Sequence, residues 1–208
     1  MSLVKICGVR DQESLEVAVD AGASFIGFVF FEPSPRYIDI ETAKHLAHLI
    51  PDTVEIVGLF VDASDEQIRD VLSEVPLTML QLHGLESPER VMDVKTKFNI
   101  PVMKAIPIAD ESDLEYVSSY SQVADWLLFD TKMVDGTSGG HGVAFDWSLL
   151  SNVRTVLPWF LAGGLTPENV NAAIKMVNPP ALDVSSGVEL EKGVKDPALI
   201  KKFLQQVG

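Results

Sequence analysis

Eight short apolar runs alternate with helical patterns about every 25 residues, and this constrains the 208-residue chain more than anything else in it. The strand-like runs fall at residues 4–6, 25–30, 55–60, 79–82, 102–105, 126–130, 160–162 and 182–184. Several are apolar on consecutive positions, the pattern of strands buried on both faces of a parallel sheet. Helices are predicted over 12–20, 40–49, 66–73, 88–97, 113–119, 145–150, 167–176 and 197–206, with Asp11 as an N-cap. Thr166-Pro167 and Asp196-Pro197 each put a cap residue ahead of a proline at the first helical position. Eight strand–helix beats predict an α/β fold, a single (β/α)8 TIM barrel over residues 1–208. An open doubly wound sheet has the same local pattern, and the count favours the barrel. No linker, low-complexity tract or charge block divides the chain.

Composition narrows the function. Hydrophobic residues make up 47 % of the chain, enough for a large core. A single cysteine excludes an internal disulfide framework and a cysteine-based zinc site. The net charge of −14 argues against nucleic acid and against anionic membranes as partners, both of which call for Lys and Arg patches. The longest apolar run, residues 25–31, is too short to cross a bilayer, and no signal-peptide pattern opens the chain. A cytoplasmic protein is expected.

In a barrel the C-terminal strand ends share one mouth, where such folds keep their chemistry. Cys7, the lone thiol, ends strand 1; a small buried hydrophobe is its alternative reading. Arg36 lies in the loop after strand 2, stiffened by Pro33 and Pro35. Taken alone, Arg36 reads first as a surface arginine, although its guanidinium suits a substrate carboxylate through a bidentate fork. Gln81 and His83 end strand 4, His83 reading also as a helix cap or a core hydrogen-bonder. Asp130 closes strand 6, where burial raises a carboxyl pKa towards that of a useful acid, or where it simply caps the next segment.

Anion capture is the second theme. Gly163-Gly164 follow strand 7 and Ser186-Gly187 follow strand 8, the two loops from which barrels often build a phosphate site. Glycines let backbone N–H groups approach a ligand, although tight turns alone explain them as well. Residues 131–144 form a long connection with four glycines, readable as a segment closing over a ligand or as a surface loop.

Taken together, these residues resemble the phosphoribosylanthranilate isomerases of tryptophan biosynthesis, nearly end to end. The resemblance is carried by Lys5-Ile6-Cys7-Gly8, Gly27-Phe28-Val29-Phe30 with Ser34-Pro35-Arg36, and Gln81-Leu82-His83-Gly84. It continues in Phe129-Asp130, Phe145-Asp146-Trp147, Leu161-Ala162-Gly163-Gly164-Leu165 and the run from Asp183 to Glu189. It implies a barrel without metal or organic cofactor, acting on a small phosphoribosyl substrate as a monomer or homodimer. It also implies an Amadori rearrangement with Asp130 as general acid and Cys7 as general base. Arg36 then holds the anthranilate carboxylate, and the Gly163, Gly164, Ser186 and Gly187 amides hold the phosphate. Lys5, Gln81 and His83 fall near the site by position.

One departure stands out. The family's Gly-Gly-Ser/Thr-Gly is here Gly139-Gly140-His141-Gly142, so His141 replaces a small hydroxyl residue. A thiol at its ordinary pKa of ~8.5 is only a few per cent thiolate at pH 7, and a bound substrate iminium or Lys5 is expected to lower that value. Two alternatives keep the barrel. One is a related isomerase of histidine biosynthesis, which uses paired carboxylates instead of Cys7. The other is a non-catalytic sugar-phosphate binder, which needs neither Cys7 nor Asp130.

Overall fold

The computed structural model describes residues 2–132 and 145–208. Its eight parallel strands are β1 (Leu3–Cys7), β2 (Phe25–Val29), β3 (Glu55–Phe60), β4 (Met79–Leu82), β5 (Val102–Ile108), β6 (Trp126–Thr131), β7 (Trp159–Leu161) and β8 (Ala181–Val184). They close in sequence order into a barrel, β8 pairing back onto β1. The open-sheet alternative is thereby excluded. The helices are α1 (Gln12–Asp20), α2 (Ile40–Ala47), α3 (Asp65–Glu74), α4 (Pro88–Phe98), α5 (Tyr116–Tyr120), α6 (Val170–Val177) and α7 (Pro197–Val207).

Alternation along each strand sorts the side chains. In β1, Val4 and Ile6 join the apolar layer under the helices, and Lys5 and Cys7 take the other face, into the barrel. Inside, Phe25, Val57, Met79, Met103, Leu128 and Phe160 pack together. Phe25, Trp126 and Phe160 meet with ring centroids 5.1–5.9 Å apart. Each such side chain contributes roughly 1.5–3 kcal/mol by burial, so the barrel is a filled core and its polar groups are confined to the mouth.

Three helices differ from the pattern read in sequence. Residues 145–150 do not make an α-helix; a 3-10 helix runs over Trp147–Asn152, with Asp146 accepting from Ser148 N–H. Residues 113–119 split into a 3-10 turn, Glu111–Glu115, running into the short α5. Here Asp113 turns back to accept from Ala109 N–H at 2.8 Å, which tightens the first turn. The helix expected from Pro167 begins at Val170. Asn169 accepts from Thr166 N–H at 2.7 Å and donates to the Gly164 carbonyl at 2.8 Å, so residues 167–169 form a turn. The Asp196-Pro197 start holds, with Asp196 accepting from Ala198 and Leu199 N–H groups. The long connection read over 131–144, His141 included, lies outside the described residues after Lys132.

Candidate active site

Cys7 is buried at the end of β1, against Val29 and Leu59. Two positions earlier on the same face, Lys5 is completely buried and donates to Asp183 Oδ1 at 2.7 Å. The register makes this pair: Lys5 stands opposite Asp183 on β8 and Phe25 on β2. Gly27 leaves space for the ammonium, since a Cβ there would stand 3.0 Å from Lys5 Nζ. Burial acts to lower the Lys5 pKa, and the charges of Asp183 and Cys7 outweigh it, so Lys5 is held above its ordinary value. Burial pushes the Cys7 thiol up, Asp183 adds to that, and Lys5 and Lys195 oppose it without prevailing. The expected depression of Cys7 by Lys5 is therefore corrected: the Lys5 influence is present, and desolvation is larger.

Asp130 lies on β6, across the mouth from β1 in the closed strand order. Its Oδ1 accepts from Thr131 N–H at 2.7 Å, and its Oδ2 stands 3.3 Å from His83 Nε2. His83 Nδ1 is 2.8 Å from Nε2 of Gln81, which is fully buried. The three residues read in sequence at the ends of β4 and β6 thus form one line of contacts.

Arg36 is buried, and it is not a free surface arginine. Its Nε and Nη2 donate to the two carboxylate oxygens of Glu189, at 2.7 and 2.8 Å. The fork that sequence reading reserves for a substrate carboxylate already holds Glu189 on that edge; Nη1 makes no hydrogen bond among the described residues. Lys195 completes the cluster, donating to Glu189 Oε1 at 2.8 Å and to the Ser185 carbonyl at 3.0 Å. Ser185 Oγ in turn donates to the Cys7 carbonyl at 3.0 Å. Burial acts to raise the Glu189 pKa, but the hydrogen bonds and charges of Arg36 and Lys195 overcome it and bring it down to about 2. Gly8, at φ +78°, lies under the Arg36 stem: an added Cβ would stand 2.9 Å from Arg36 Cδ.

Glu189 and Lys195 sit on a hairpin after β8, made by β9 (Glu189–Glu191) and β10 (Val194–Lys195). Sequence reading gave no function to either, nor to Asp183. A buried charge has no local signature; the available sign was a Glu and a Lys flanking the Gly193 turn.

The glycine loops after β7 and β8 lie against each other. Gly163 and Gly164 have φ +80° and +67°, and neither N–H pairs with an acceptor among the described residues. Ser186 and Gly187 open a 3-10 turn, Ser186–Val188. A Cβ on Gly187 would collide with the Leu165 carbonyl oxygen, so the loops after β7 and β8 touch backbone to backbone. Unpaired N–H groups at such a junction favour an anion.

Fold and site define a class: a parallel (β/α)8 barrel whose mouth joins a thiol, a carboxyl and a guanidinium to a glycine-lined cradle. The family model of N-(5'-phosphoribosyl)anthranilate (PRA) isomerase matches residues 4–206. An N-(5'-phosphoribosyl)anthranilate isomerase of Rhodospirillum rubrum is 49 % identical over 212 residues, covering 99 % of this chain and 97 % of that protein. The crystal structure of phosphoribosyl anthranilate isomerase from Thermotoga maritima superposes with TM-score 0.88 at 42 % identity, covering 99 % and 98 % of the two chains. A crystal structure of a phosphoribosyl anthranilate isomerase in complex with reduced 1-(o-carboxyphenylamino)-1-deoxyribulose 5-phosphate has TM-score 0.84 at 40 % identity, covering 99 % and 98 % of the two chains. The chain belongs to the N-(5'-phosphoribosyl)anthranilate isomerase family.

Proposed function

We propose that residues 1–208 act as one catalytic unit that converts N-(5'-phosphoribosyl)anthranilate to 1-(2-carboxyphenylamino)-1-deoxyribulose 5-phosphate in tryptophan biosynthesis. Asp130 gives a proton to the ribose ring oxygen as the C1–O bond breaks, and the anthranilate nitrogen lone pair forms the C1=N iminium. Cys7 takes the C2 proton, and its electron pair forms the C1=C2 bond of an enolamine. Loss of the C2 hydroxyl proton and gain of one at C1 then give the ketone. The sequence is redox-neutral and returns as many protons as it uses.

The observation that carries this reading is a thiol on β1 and a carboxyl on β6 at the same end of one closed barrel. With its thiol held high Cys7 is kept protonated in the free protein, and the iminium cation beside it favours the thiolate when the proton must leave. Arg36 turns its remaining Nη1 edge to the anthranilate carboxylate, and the Gly163, Gly164, Ser186 and Gly187 amides take the phosphate. Lys5 supports the Cys7 thiolate by charge. A net charge of −14 makes nucleic acid an unsuitable partner, and among the described residues no helix is long and apolar enough to cross a membrane. A reduced thiol base fits the cytoplasm, and because every group named comes from one chain, a monomer or a homodimer serves equally.

The test follows anthranilate fluorescence with the phosphoribosyl adduct. Loss of the fluorophore faster than spontaneous hydrolysis, with the aminoketose identified as product, supports the reading; hydrolysis alone refutes it.

A further inference from the structure

Gln81 Oε1 is buried and has no hydrogen-bond partner among the described residues. An unpaired buried acceptor costs about 1–3 kcal/mol, so a site that keeps one has a use for it. The other end of the same amide is 2.8 Å from His83 Nδ1, and the far side of that ring is 3.3 Å from Asp130 Oδ2.

A primary amide offers donors at one end and an acceptor at the other. With Nε2 towards the ring, His83 is neutral, carries its proton on Nε2 and presents it to the Asp130 carboxylate. With the amide turned over, Oε1 accepts from Nδ1–H, and the ring is an imidazolium that still donates to Asp130. In most buried sites such a turn breaks a hydrogen bond at the amide's far end. Here the far end has none to lose, so both orientations satisfy His83 equally. The neighbouring charged groups are engaged elsewhere. Lys104 of β5 donates to the Gly84 carbonyl and to Glu86, and Asp62 accepts from Leu85 N–H. Lys5 and Cys7 belong to β1 and the Asp183 pair.

We infer that Gln81 is a reversible positioning residue that lets His83 pass protons from water to Asp130. This rests on the reading of Asp130 as the acid. In the step itself the imidazolium Nε2–H bond breaks and an O–H bond forms on Asp130 Oδ2. The ring becomes neutral with Nδ1–H against Gln81 Oε1, and the carboxylate becomes a carboxylic acid. Once Asp130 has protonated the substrate, the bare Nε2 takes its next proton from water, which the 18 % exposed His83 side chain meets. The proton released from the C2 hydroxyl closes the balance.

The experiment compares wild type with Gln81→Glu and Gln81→Met, reading the pH dependence of kcat/KM and the ring 15N–1H correlations of His83 in the free protein. The neutral ring of the wild type is expected to carry its proton on Nε2. Gln81→Met removes either partner of Nδ1, lowers kcat about 10–100-fold, and moves the alkaline limb to lower pH. Gln81→Glu supplies a fixed acceptor, keeps the imidazolium, and moves the same limb to higher pH even if the methionine variant folds poorly. A neutral ring protonated on Nδ1 while Asp130 is ionised, or unchanged limbs in both variants, overturns the inference. Asp130→Asn is run in parallel: turnover near wild type there overturns the acid assignment, whereas its loss beside unchanged Gln81 limbs overturns only the relay.

Discussion

Arg36 and Glu189, 153 residues apart in sequence, are joined by two parallel hydrogen bonds of 2.7 and 2.8 Å. Both side chains are nearly inaccessible, so the pair is shielded from salt and its geometry is fixed. The same carboxylate accepts from Lys195 and from Gly193 N–H. The guanidinium is thereby anchored on one edge and presented on the other.

Glu189→Gln is expected to loosen that edge, raising KM about 10-fold with a smaller change in kcat, measured by steady-state kinetics. Its pH signature has a definite sign. The folded carboxyl sits near 2, below its ordinary 4.5, so the pair stabilises the fold above about pH 4.5 and loses that as pH falls through 2. The contribution is roughly 3 kcal/mol. Chemical denaturation at pH 6 and pH 3 checks it: the gap between wild type and variant narrows at the lower pH.

Lys5→Met leaves Asp183 buried without its partner and is expected to cost about 3–5 kcal/mol. It also removes the cation that opposes the rise of the Cys7 thiol. The rate of alkylation of Cys7 against pH reports this directly. The midpoint moves to higher pH in the variant, and an unmoved midpoint removes Lys5 from thiolate support.

Cys7→Ala and Asp130→Asn each remove one of the two proposed proton-transfer groups, and each is expected to lower kcat by about 10²–10⁴-fold. Circular dichroism and thermal melting are expected to show an intact fold in both, because neither change leaves a buried charge alone. Near-normal turnover in either variant dismisses that residue from the chemistry.

Gly187→Ala drives a Cβ into the Leu165 carbonyl oxygen, and backbone on both sides leaves no flexible atom to yield. A loss of about 2 kcal/mol or more in stability is expected. Inhibition by ribose 5-phosphate is expected to weaken about 10-fold, read from competition assays. Unchanged inhibition separates the loop contact from phosphate binding.

The barrel was legible because parallel strands buried on both faces are continuous apolar runs. Glu55–Phe60 and Met79–Leu82 match the reading residue for residue, and the other strands agree to within a few residues, β5 extending furthest. Helix starts were legible where a side chain caps at a proline, as at Asp196, and not where Asn169 redirects the chain into a turn. Cys7, Arg36 and Asp130 stood out because a thiol or a charge beside a buried strand is unusual locally. Their partners did not. Asp183 acquires its meaning only when β8 closes onto β1, and Glu189 only when its hairpin meets Arg36, contacts that no local spacing encodes.

Backbone contact between Gly187 and Leu165 binds two consecutive connections into a single unit, to which the proposed function assigns the phosphate tail of the substrate. On the same proposal, the features that tell one sugar phosphate from another are borne elsewhere on the rim, by Arg36 and Asp130. A lineage could therefore rewrite what the rim accepts while leaving this handle untouched. Selection on such a scaffold acts on two separable inheritances, a constant grip and a changeable choice of cargo.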